Sequence, residues 1–111
     1  MKTIAINKDM IPYTIRVRLA GETFDLGFSY NPQEDFFTVD LSRGGEALAH
    51  GEKIVYGRAL FAAYADPRFP KAAIIPWDMG AEADRVGWGD LCSTVALVVA
   101  EAEEFLGVEP E

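Results

Sequence analysis

Apolar and polar residues alternate with a period of two through much of the first half of the chain. Between Pro12 and Ala20, the apolar Tyr13, Ile15, Val17 and Leu19 are separated by Thr14, Arg16 and Arg18. That is the pattern of a strand with one face buried and the other wetted. Past the turn signal Gly21-Glu22, Phe24, Leu26, Phe28 and Tyr30 alternate with Thr23, Asp25, Gly27 and Ser29, so the two runs predict a β-hairpin. Asn31-Pro32-Gln33-Glu34-Asp35 gathers turn formers, and Pro32 has no N–H to give to a ladder. A third strand is predicted from Phe36, with Phe37, Val39 and Leu41 facing one way and Thr38 and Asp40 the other. Ser42-Arg43-Gly44-Gly45 closes it with glycines that accept positive φ, which completes a three-stranded meander.

Beyond Gly45 the periodicity weakens. Ala47-Leu48-Ala49 and Ile54-Val55-Tyr56-Gly57 read as two brief strands around a turn at Gly51-Glu52. Leu60 to Tyr64 fits one helical turn or a strand, with strand preferred, and Asp66-Pro67-Arg68-Phe69-Pro70 reads as a rigid loop. Ala72 to Pro76 resumes as a strand, and Met79 to Gly89 reads as a surface loop. From Asp90 onwards Leu91, Ser93, Val95, Leu97 and Val99 share one face; the valines favour strand, while the alanines leave helix open over residues 94–106. These parities assemble a core of Ile15, Val17, Leu19, Phe24, Leu26, Phe28, Phe37, Val39, Leu41, Val95 and Leu97. The predicted fold is all-β, a small antiparallel barrel or sandwich in one domain over residues 1–111, with an acidic C-terminal tail from Glu101.

Half of the 111 residues are hydrophobic, which supplies enough apolar mass for one core. The longest apolar run, Val95 to Ala100, falls far short of the roughly 18–20 residues of a membrane-spanning helix, so no membrane insertion is expected. Met1 to Asn7 has no long apolar stretch, so no signal peptide is expected, and the single Cys92, which cannot form an internal disulfide, makes a reducing cytoplasm the simplest compartment. Ten Lys and Arg against eighteen Asp and Glu give 10 − 18 = −8, a balance that excludes direct nucleic-acid binding through phosphate neutralisation. The single Cys92, in an alternating apolar segment, reads as a packed thiol, and the single His50 as an exposed turn residue. No nucleophile-elbow, phosphate-loop, zinc-helix or paired-cysteine motif occurs. Asp78, Asp84 and Asp90 recur every six residues, too widely for a calcium loop, and read as solvated turn acids. No metal, cofactor or enzymatic activity is therefore expected. Three aromatics stand out as candidate partner contacts: Phe36 on the polar side of its strand, Phe69 in the proline loop, and Trp88 between Gly87 and Gly89.

The order of cues along the chain is more specific than any one of them. Ile11-Pro12-Tyr13 is followed by the hairpin Val17 to Phe24, the Tyr30-Asn31 ending and the strand Phe36-Phe37-Thr38-Val39-Asp40-Leu41. Then come Leu48 to Gly51, Ile54 to Leu60, Asp66 to Pro70, and Trp77-Asp78 through Asp90-Leu91. Over about residues 4 to 100 this succession resembles the small baseplate plug proteins of contractile-tailed phages and prophages. The resemblance implies a non-enzymatic structural part of the virion tail tip, made in the bacterial host cytoplasm. It implies contacts near tail tube, hub and spike with other tail and baseplate proteins; exposed apolar or edge-strand area around Trp88, Phe69 and the Met1 to Asn7 arm is expected to serve those contacts or self-association into a homo-oligomer. The net charge fits either a repulsive wall for passing DNA, formed by Glu101, Glu103 and Glu104 or the Asp78 to Asp90 loop, or acids spread over the surface for solubility. A second reading is a small β-barrel adaptor that binds a ligand or peptide, which a deep apolar pocket would favour.

Overall fold

Two antiparallel sheets face each other in the computed structural model, which describes residues 2–64, 66–80 and 82–101. The strands are β1 (Lys2–Ile4), β2 (Tyr13–Leu19), β3 (Glu22–Asn31), β4 (Phe36–Arg43), β5 (Glu46–Lys53), β6 (Ala72–Trp77) and β7 (Ala96–Glu101), with one 3-10 turn at Lys8–Met10. One sheet runs β2-β3-β4-β5 and the other β1-β7-β6. The all-β expectation holds. Of its two forms the sandwich is the one found, because no strand among the described residues joins the two sheets into a closed barrel.

The first sheet follows its sequence parity. Ile15 pairs with Leu26 and Val17 with Phe24, then Leu26 with Leu41 and Phe28 with Val39, so the apolar positions of the meander, Phe36 apart, fall on one face. Leu19, Phe24, Leu26, Phe28, Phe37, Val39 and Leu41 are buried, and Ile74, Leu91, Val95, Leu97 and Val99 meet them from the other side. Ile15 and Val17 share the inward parity but are only half-buried, because β2 is an edge strand. The hairpin turn lies at Ala20-Gly21, one residue before the expected dipeptide. Both residues have positive φ, 51° and 84°, the geometry that matches the right-handed twist of the flanking strands.

Three later elements differ from expectation. Residues 46–53 form one strand rather than a piece of two. Gly51 at φ 72° and a register irregularity between Val39 and Leu41 carry β5 past the point where a turn was expected. Ile54 to Gly57 then leaves the ladder, although Ile54 N–H still donates to Phe37 O at 2.9 Å. Leu60 to Tyr64 is a turn, not a strand: Phe61 has φ 62° and donates its N–H to Glu52 Oε2 at 2.9 Å. The last strand starts at Ala96, and the N–H groups of Ser93, Thr94 and Val95 all converge on Asp90 O in the turn before it. Ser93 is therefore exposed instead of sharing the face of Leu91 and Val95. Strand, not helix, holds over residues 96–101; residues 102–106 and the rest of the acidic tail lie outside the described residues.

Candidate functional site

The β3–β4 turn places Asp35 in left-handed backbone, φ 57°, a conformation that Asp tolerates better than most residues. There its side chain points at the 82–91 loop and ties it down. Tyr30 O–H donates to Asp35 Oδ1 at 2.6 Å, Trp88 N–H to the same oxygen at 2.8 Å, and Arg85 Nη1 to Oδ2 at 2.9 Å. Arg85 Nη2 also donates to Asp35 O at 3.1 Å. On the loop side, Gly87 N–H donates to Asp90 Oδ2 at 2.9 Å.

This knot sets the position of Trp88. Its ring centroid lies 4.9 Å from that of Tyr30 and stacks on Phe37 at 5.9 Å, while Lys8 Nζ sits 5.0 Å above it and donates to Trp88 O. Trp88 nevertheless remains 38% exposed, so one side of the ring packs on the core and the other faces out. It borders a cleft of about 460 Å³ with Tyr30, Pro12, Pro32, Ile11 and Ser29. An aromatic ring held by its neighbours, in a cleft lined by rigid prolines, loses little freedom when a partner covers it. Phe36 lies on the opposite flank of the Asp35 knot, half-buried under Lys53 Nζ at 4.7 Å. Phe69 joins neither. It is buried, with its ring edge-on to Phe61 at 6.0 Å and stacked on Tyr64 at 4.6 Å, so the surface expected there is carried by Tyr64 instead.

Cys92 departs from the packed thiol expected. It occupies a turn with φ 68°, is exposed, and donates from Sγ to Ile6 O at 3.2 Å. His50 is exposed as expected, but on β5 rather than in a turn, with Nδ1 3.1 Å from Asp40 Oδ1. Of the three spaced aspartates only Asp84 is an exposed loop acid. Asp78 is buried and accepts from Gly80, Glu82 and Ala83 N–H at 2.8, 3.1 and 2.8 Å. It organises its own loop rather than adding charge to a surface, and no trio of metal-ligating side chains gathers among the described residues. Among the described residues, the clefts beside Phe69 and beside Trp88 open at the surface.

The carboxylates that hold loops are expected to make stability fall in acid. The Tyr30 hydroxyl, the Trp88 N–H and Arg85 hold Asp35 down to about 2, and Arg68 does the same for Asp66. Backbone N–H groups, that of Ala83 foremost, lower Asp78 as well. A carboxyl whose folded value is depressed stabilises fully above its unfolded value of roughly 3.9, and this contribution disappears as pH falls through the folded value. The urea midpoint should therefore fall on going from pH 5 to pH 2.5. Asp35→Asn should shrink the fall, and a midpoint flat over that window would contradict these assignments.

A family model described as cyanophage baseplate Pam3 plug gp18 matches residues 1–102. No curated protein matches the chain.

Proposed function

We propose, because this chain belongs to the cyanophage baseplate plug family, that it is a structural part of a contractile-tail baseplate that seats near tube, hub and spike and works by protein–protein contact. The match over residues 1–102 carries this reading, since it takes in both sheets and the Trp88 loop. The family supports a role in the baseplate of the virion and contacts with other baseplate proteins. Beyond that, the reading holds that the chain has no catalytic function, is made in the host cytoplasm, associates with copies of itself and binds neither nucleic acid nor membrane. The absent catalytic motifs and the charge of −8 support it.

The contact surface proposed is the Trp88 face, with Pro12, Pro32 and Tyr30 around the ring and Phe36 on the far flank of the knot. It combines a fixed aromatic with rigid neighbours, the chemistry that concentrates binding energy at an interface. Phe69 has no place in it, being buried. Of the acids that a DNA channel wall would need, Asp78 is turned inward, which leaves Glu82 and Asp84 as the exposed loop acids.

Co-expression with tube, hub and spike proteins from the same tail operon, followed by affinity capture, tests the proposal. The wild-type chain should retain at least one of them. Trp88→Ala and Pro32→Glu should each weaken capture by about tenfold, with Pro32→Glu leaving the packed side of Trp88 intact. A chain that captures none of the three and stays monomeric overturns the reading.

A further inference from the structure

One end of the β1-β7-β6 sheet carries a protrusion on one side of its central strand and a hollow on the other. Leu97 and Val99 of β7 point into the core, so Ala96 points outward, and so does Trp77 opposite it on β6. Ala5 follows Ile4, the β1 partner of Leu97, and stands exposed on the other flank of Ala96. Trp77 is 43% exposed and braced from beneath, with its ring stacked on Tyr56 at 5.3 Å and the Tyr56 hydroxyl accepting from Asp78 N–H at 3.1 Å. Met79, just past the strand, is 83% exposed.

The hollow is a cleft of about 210 Å³ between the chain leaving β1 and the turn that precedes β7, with Ala5, Ile6, Leu91, Cys92, Val95 and Ala96 in its walls. That is the volume of roughly seven waters, enough for one large side chain. Its lining includes no Asp, Glu, Lys, Arg or His, and burial pushes the Cys92 thiol up, so the cleft is uncharged near neutral pH. Ala5, Ala96, Trp77 and Met79 add no charge beside it.

We propose that this end of the sheet is where two copies of the chain meet, about a twofold axis lying along β7, so that Trp77 of each copy covers Ala5 of the other and Met79 of each enters the other's cleft. The self-association itself rests on the function proposed above; the surface is what is added. Three observations favour a second copy as the occupant. The first is register: β7 is the central strand, with Trp77 one strand to one side of Ala96 and Ala5 one strand to the other, so rotation about β7 exchanges their positions. The same rotation carries Met79, past the end of β6, to the side where Ile6 follows β1. The second is shape, since a braced ring meets an alanine and an unbranched thioether meets a cleft that holds one side chain, as a self-complementary contact requires. The third is charge. Two chains of −8 repel each other through any surface rich in carboxylates, and these residues carry none.

Sedimentation equilibrium of the full chain tests this. The contact is small, so the wild-type chain should dimerise with a dissociation constant on the order of 100 μM or below. Added salt should tighten the dimer, because it screens the repulsion between two acidic chains. Trp77→Glu and Ala5→Glu, both at exposed positions, should each weaken it at least about tenfold. Tyr64→Glu, which alters another exposed ring, should leave it unchanged. Alkylation of the native Cys92 by iodoacetamide reads the cleft directly. Its rate per chain should fall at least about threefold as the protein is concentrated through the dimerisation range, and Met79→Asp should abolish that dependence. A chain that stays monomeric throughout overturns the proposal. So does a dimer that survives both glutamate substitutions, a closed ring of three or more copies, or a Cys92 that reacts equally at every concentration. None of these touches the baseplate reading, which stands on the family and on capture of tube, hub or spike through the Trp88 face.

Discussion

Truncating Phe37 to alanine is expected to lower stability by about 3–5 kcal/mol, the range for removing a buried aromatic ring. Phe36→Ala, one residue away, should cost about 1 kcal/mol or less. Phe37 has no exposed surface and packs between Tyr30, at 4.8 Å, and Trp88, at 5.9 Å. Its loss leaves a hole that the β3–β4 ladder on one side and the pinned Trp88 loop on the other are poorly able to close. Phe36 stands on the other face of β4, half-exposed beneath the Lys53 ammonium, where water can take the place of the ring. Urea melts of the two variants check the difference, and the intrinsic tryptophan fluorescence of Phe37→Ala should shift to the red as Trp88 loses its stacking partner. Equal losses in the two variants would contradict the assignment of faces on this strand.

The same parity explains why β2, β3 and β4 were legible in the sequence. A sheet with one face buried writes its register directly into alternate positions, and a slip of one residue in β3 would exchange Phe24, Leu26 and Phe28 for Thr23, Asp25 and Gly27. β5 carries almost no such record, because within Glu46–Lys53 only Ala49 is buried and Gly51 breaks the alternation. Leu60 to Tyr64 is apolar for a different reason: Leu60 and Phe61 are tucked inward from a turn held by Ile74 O and Glu52, which five residues of sequence do not distinguish from a strand. Phe69 was expected outside because its loop is proline-rich, yet the prolines fix a backbone that turns the ring in against Phe61.

The candidate site was legible only in part. Trp88 between two glycines marked a loop position with a special ring, and the structure keeps that ring partly exposed. Asp35 and Arg85, fifty positions apart, bear no local pattern that would pair them. Asp78 gave the opposite impression to its role, since an acid in a glycine-bearing loop suggests solvation, whereas the neighbouring N–H groups of Gly80, Glu82 and Ala83 offered it a full set of donors. One signal was present and specific: a glycine beside a loop aromatic marks a close approach as readily as a turn.

Gly87 is that close approach, and Gly87→Ala is expected to destabilise the protein by about 1–3 kcal/mol, the usual cost of overpacking. A methyl group there would stand 2.9 Å from Asp35 Cγ and closer still to Asp35 Oδ2 and to Arg85 Nη1, the latter the end of an exposed side chain that can swing into solvent. The carboxylate cannot retreat cheaply, because Tyr30, Trp88 and Arg85 hold it from three directions. Gly89→Ala is the control. It meets nothing within 4 Å and should stay within about 0.5 kcal/mol of wild type. The cause can be separated from a general loop effect by repeating Gly87→Ala in an Asp35→Ala background. There the carboxylate is gone, Arg85 is released to solvent, and the second substitution should cost far less than it does alone. If the two losses simply add, the clash with Asp35 is not what demands glycine. If they couple, Asp35, Arg85 and Gly87 act as one fastening, and Gly87→Ala should also weaken capture of baseplate partners through a misplaced Trp88, whereas Gly89→Ala should leave both stability and capture intact.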